Sequence, residues 1–223
     1  MQGSHNNSQS NQIKPPKWFF WPLWVLVSAL GWAIGAIICD IIGIGATNIS
    51  RPSLFAEVIS EPIYGVAIGT LQWLVLRRSL PRSGSWILAW IVGLLVAGLV
   101  VQFIATPISY MAMSSAYLSL VLTAIVSGIV GGVIGVAQWG VLRRHVRSAI
   151  LWIPFAIFAT SMSDVARDIV FSPLWFLLPS LLQYLAIATS GALAEVVMGL
   201  LLIWLLENSA SKQAVQQSIG VSP

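Results

Sequence analysis

Six stretches of this chain run for about twenty residues with scarcely a charged side chain. That pattern constrains the fold more than any motif does. The hydrocarbon core of a bilayer is about 30 Å thick, which a helix crosses in roughly 20 residues. Lipid offers nothing to pair with a backbone N–H or C=O, so each crossing segment must satisfy its own backbone as a helix. Charged residues make up only 8% of the chain and hydrophobic residues 57%, whereas a soluble domain carries about 25% charged residues. Too little polar surface exists to cover a soluble fold of this size. The expected fold is all-α, a polytopic transmembrane helix bundle.

The spans fall at about 18–46, 58–78, 85–105, 118–144, 148–170 and 180–206. The first apolar run, Trp18 to Gly45, is 28 residues long. A signal-peptide core has about 7–15, so this run reads as a retained span. Residues 1–16 are polar and predicted to be disordered, residues 17–208 form the membrane domain, and 209–223 read as a disordered tail. The sequon Asn48-Ile49-Ser50 and the prolines Pro52, Pro107 and Pro173 punctuate the longer connections.

Basic residues are distributed unevenly between the two ends. Lys14, Lys17, Arg77, Arg78, Arg82, Arg143, Arg144, Arg147 and Lys212 fall at one end, and Arg51 and Arg167 at the other. Short cytoplasmic loops are enriched in Lys and Arg. Both termini are therefore expected in the cytoplasm, with the protein in a bacterial plasma or internal membrane. The net charge of +4 follows from this placement and does not point to nucleic acid.

One phrase occurs twice: GTLQWLVLRR from residue 69 and GVAQWGVLRR from residue 135. Across 65–78 and 131–144, nine of fourteen positions are identical at a shift of 66 residues, among them Gly65/Gly131, Gly69/Gly135, Gln72/Gln138, Trp73/Trp139 and the arginine pairs. Trp86 and Trp152 keep the same shift. The repeating unit is a helical hairpin that opens on a tryptophan (Trp24, Trp86, Trp152) and ends in a basic loop. Three units fit, at about 18–80, 85–146 and 148–208. In the third, Glu195 and Gly199 stand where Gly131 and Gly135 would, and Leu202 stands where Gln138 would. Each unit holds two spans, so the repeats are parallel, unlike the inverted repeats of many secondary transporters.

The phrase resembles repeated Q-W-x-x-L-R segments in a loose group of uncharacterised bacterial multi-span membrane proteins. The resemblance covers helices 2 and 4 and implies no activity.

Gly65, Gly69 and Gln72 share one helix face, as do Gly131, Gly135 and Gln138. Small residues let helices approach closely in lipid, and an amide on that face is expected to bond to a neighbouring helix, for roughly 0.6–2 kcal/mol. Trp73 and Trp139 are expected near the interface, with the arginine pairs reaching to the headgroups. Gln72 and Gln138 are candidates for packing or for a shared ligand site. Among the acids, Asp40, Glu57, Glu61, Asp164 and Asp168 read as solvated helix ends on the outer face, or less simply as a cation or partner site. Glu195 lies deep in the last span between Gly191 and Gly199. It is expected to donate one hydrogen bond to a facing helix, or to handle a proton or ligand. An acid there is costly and a functional suspect.

The sequence contains no HExxH, G-x-S-x-G or phosphate-binding loop. No catalytic residue and no metal ligand set is expected. One cysteine, Cys39, excludes an internal disulfide, and neither His5 nor His145 lies inside a span. The chain is expected not to be an enzyme. The readings open at this level are a scaffold or accessory subunit of a membrane complex, with a membrane-protein partner or a second copy of itself; a small-solute transporter or channel; and a binder of a lipid-soluble pigment, carotenoid or quinone.

Overall fold

A computed structural model describes residues 18–44, 54–80, 83–105, 115–146, 148–171 and 178–218, with the side chains at 54, 55, 57, 104, 105, 116 and 212–218 outside that description. The N-terminal segment, the sequon and Pro52, Pro107 and Pro173 also lie outside the described residues. Among the described residues the fold is all-α, and six helices are long and apolar enough to cross a membrane. They are α1 (Phe20–Ile41), α2 (Leu54–Leu76), α3 (Ser85–Val100), α4 (Ala116–Leu142), α5 (Trp152–Phe171) and α6 (Ser180–Ser218). A π-helical turn, Val101–Ala105, extends α3, and a 3-10 turn, Ala149–Leu151, leads into α5. At its far end α6 departs from expectation: it stays helical to Ser218, ten residues past the predicted limit at 208. Its tail sequence, SASKQAVQQS, is polar but holds no Gly or Pro until Gly220, so nothing in it stops the helix.

Each helix packs on the next, and α6 packs back on α1, so the six close into a ring. Glycine makes the close approaches possible. A methyl group at Gly31 would lie 2.7 Å from the Ile68 Cα, and one at Gly65 2.7 Å from the Ile91 Cα. At Gly131 it would meet the Ala156 carbonyl oxygen at 2.5 Å. These contacts join α1 to α2, α2 to α3 and α4 to α5. With no hydrophobic drive between helices in lipid, such contact is what holds the bundle together. The outward faces carry Leu30, Val66, Leu88, Val92, Ile125, Phe158 and Leu200, all exposed, as a surface solvated by acyl chains requires.

The end of the ring that bears the basic loops is closed by aromatic rings. Trp24, Trp86 and Trp152, from α1, α3 and α5, are at most 1% exposed. Their ring centroids are 6.1 Å apart between Trp24 and Trp86 and 5.9 Å between Trp86 and Trp152, both edge-to-face. Leu76, Leu80, Leu142, Val146 and Leu206 complete the plug. At the same end the Arg77 and Arg143 guanidinium groups lie over the rings of Trp73 and Trp139, at 5.3 and 4.8 Å. These arginines lie over indole faces while remaining exposed at that end of the ring. Burial, and then the neighbouring Arg144, hold the His145 imidazole below its usual range, so the second basic loop gains no further charge near neutrality.

Candidate functional site

A buried indole needs an acceptor for its N–H, and each of the three plug tryptophans has found one. Trp86 Nε1 donates to Gln72 Oε1 at 2.9 Å, and Trp152 Nε1 donates to Gln138 Oε1 at 2.6 Å. Both partners are 14 residues apart along the chain. Trp24 Nε1 donates to Glu195 Oε2 at 2.7 Å. Indole–acceptor bonds thus join α2 to α3, α4 to α5 and α6 to α1. The bond expected between Glu195 and a facing helix is present, and at Oε2 the indole is the donor.

The two glutamines are both buried, yet they are not equally occupied. Gln72 Oε1 takes a second N–H, from Trp90 Nε1 at 2.7 Å, and Gln72 Nε2 donates to Ser28 Oγ at 2.8 Å. Ser28 Oγ in turn donates to the Trp24 carbonyl. Gln72 is thus saturated across three helices. Gln138 has only its bond from Trp152, and its amide nitrogen makes none among the described residues. The difference follows from one position. Four residues after each plug tryptophan stand Ser28, Trp90 and Ala156. Trp90 fills the space beside Gln72, whereas Ala156 leaves it open beside Gln138.

That opening is part of a cavity of about 160 Å³ inside the ring. Gln138, Glu195, Trp32 and Trp90 line its deep end, Thr160 and Ser163 its flank, and Asp164, Arg167 and Ser190 its other end. The deep end is sealed: Gln138 is 3% and Glu195 6% exposed. Toward the other end the Arg167 side chain is 34% exposed. The cavity therefore runs from the tryptophan plug toward the partly exposed Arg167, away from the basic loops, with polar groups at both ends of a mostly apolar wall.

The acids at that outer end are not simply solvated, contrary to the expectation for Asp164 and Asp168. Asp164 accepts from Ser127 Oγ of α4 at 2.7 Å and from Ser190 Oγ of α6 at 3.0 Å, and it pairs with Arg167 at 3.1 Å. Asp168 accepts from Thr123 Oγ1 at 2.8 Å and pairs with Arg167 at 3.2 Å. Their helix is packed between α4 and α6, so hydroxyls from those helices reach the half-buried carboxylates. Asp40 is elsewhere, at the end of α1, where it accepts from the Tyr184 hydroxyl. Trp73 and Trp139 do not line the cavity. No group of three or more potential metal ligands exists among the described residues.

Sequence reasoning did not single out Trp32, Trp90, Ala156, Thr160 or Arg167 as part of a site. A signal was present for the tryptophan bonds: buried indoles require acceptors, and the spans offer few polar groups besides Gln72, Gln138 and Glu195. No signal existed for Ala156, whose role is the volume it does not fill. No protein-family model matches the chain, and no curated protein or solved structure matches it either.

Proposed function

We propose that this integral membrane protein binds a small solute within its helix ring, as a transporter or channel does, and that the solute enters from the end away from the basic loops. The observation that carries this reading is the cavity, dead-ended at Gln138 and Glu195 beneath a tryptophan plug. Intramembrane acids and unpaired amides facing a cavity are where membrane proteins place ligand and ion sites. Passage would require the plug to part. On the positive-inside rule the basic loops and both termini are cytoplasmic, so the cavity opens to the outer side. The hairpin repeat supplies the frame: two units carry saturated or half-saturated glutamines, and the third contributes Glu195.

The scaffold reading rested on glycine faces available for docking. Those at Gly31, Gly65, Gly131, Gly191 and Gly199 are taken up by packing within the ring, which removes one of the grounds for that reading. A pigment or quinone would need a longer apolar slot than a cavity of about 160 Å³.

Native mass spectrometry of protein purified in mild detergent tests the proposal. The expected result is a small molecule that leaves the protein on activation, with no polypeptide present in stoichiometric amount. A stoichiometric second subunit together with an empty chain would return the scaffold reading.

A further inference from the structure

We propose that the cavity takes a small uncharged molecule bearing a hydroxyl or a primary amide, with that group at the deep end; this rests on the solute-binding reading above. The unsatisfied hydrogen-bonding groups on the wall define the ligand. Gln138 Nε2 and Trp32 Nε1 both belong to lining residues, and neither makes a hydrogen bond among the described residues. Two N–H donors therefore face the space and ask for acceptor atoms. Glu195 lines the same end with its Oε2 taken by Trp24 and the Gln72 amide also bonded to its carboxyl, and the carboxyl lone pairs still left over can accept a hydrogen bond from a ligand. A hydroxyl or a primary amide does both: its oxygen accepts from the donors and its O–H or N–H donates to the carboxyl.

Charge argues against the alternatives. Among the described residues, the only cation in the lining, Arg167, is already engaged by Asp164 and Asp168. No positive charge is left over to match a carboxylate or phosphate. An ammonium or metal cation would find Glu195 at the deep end but would also face the donors Gln138 Nε2 and Trp32 Nε1, whereas a hydroxyl or amide uses all three groups. A buried charge without a partner is costly, which counts most against an anion. Size sets a further limit. A cavity of about 150 Å³ holds benzene, so about 160 Å³ takes roughly six heavy atoms. Trp32 and Trp90 supply apolar wall for a short carbon skeleton.

Three probes with the same branched skeleton and different head groups separate these cases: isobutyramide, isobutylammonium and isobutyrate. Trp32 and Trp90 in the wall make the intrinsic fluorescence of the purified protein the readout. Isobutyramide is expected to give a saturable change, and the other two none at the same concentration. Trp32→Phe keeps the ring and loses the N–H, and should weaken isobutyramide binding roughly tenfold, as loss of one hydrogen bond does. Gln138→Leu should weaken it at least as much. A saturable response to isobutylammonium or isobutyrate with none to isobutyramide would overturn the ligand class and leave the solute reading standing. Binding of isobutyramide unchanged in both variants would overturn the assigned contacts and with them the proposal. No response to any of the three would overturn the solute reading itself.

Discussion

Gln72→Leu is expected to destabilise the bundle by about 3 kcal/mol and Gln138→Leu by about 1 kcal/mol, although the two glutamines hold the same place in the repeated phrase. Each interhelical bond in lipid contributes roughly 0.6–1.7 kcal/mol. Gln72 bonds to Trp86, Trp90 and Ser28, and its side chain also bonds to Glu195. Leucine there also leaves two indole N–H groups buried without an acceptor, and an unmet buried donor costs about 1–3 kcal/mol. Gln138 makes one bond, with Trp152, beside a cavity where water can take over as acceptor. Unfolding in mixed micelles as the denaturing detergent is raised gives both values. Equal losses for the two variants would contradict the assignment of Gln72 as the saturated node.

The second large effect concerns backbone contact. Gly65→Ala should cost about 2–3 kcal/mol, because its methyl would meet the Ile91 Cα at 2.7 Å, the Ile91 nitrogen at 2.9 Å and the Trp90 carbonyl carbon at 3.1 Å. None of these atoms can swing aside, so α2 and α3 must separate and strain the bonds from Trp86 and Trp90 to Gln72. Gly140→Ala is the matched control. Nothing lies within 4 Å of its added methyl, and alanine is a better helix former by about 1 kcal/mol, so that variant should be neutral or slightly more stable. The same unfolding assay compares them. A Gly65→Ala protein as stable as Gly140→Ala would mean that the two helices do not meet at Gly65.

The spans could be read from sequence because lipid imposes a strict rule on each segment alone: an apolar run of sufficient length must be a helix. The inward direction of Gln72 and Gln138 was legible for a similar reason, since an amide beside two glycines on one face has nowhere better to go. What stayed hidden depends on relations between segments. Trp24 and Glu195 are 171 residues apart, and no local pattern announces that α6 returns to α1. Asp164 and Asp168 resembled solvated acids because their hydroxyl partners, Ser127 and Thr123, come from a different helix. The cavity owes its existence to Ala156 standing where the preceding unit has Trp90, and a missing side chain leaves no mark on hydropathy or periodicity.

The central claim is that the cavity is entered from the end of the ring opposite the basic loops. It is tested most directly by cysteine accessibility in a Cys39→Ser background, with a thiol reagent that cannot cross membranes. His145→Cys marks the basic-loop side, and Tyr117→Cys, 76% exposed at the start of α4, marks the other. Ala186→Cys, 0% exposed and outside the cavity lining, should stay silent. Thr160→Cys and Ala194→Cys both line the cavity. They are expected to react with reagent supplied from the side that labels Tyr117→Cys, which should be the outer side. Silence at both positions from either side, or reaction only from the side that labels His145→Cys, would contradict the account.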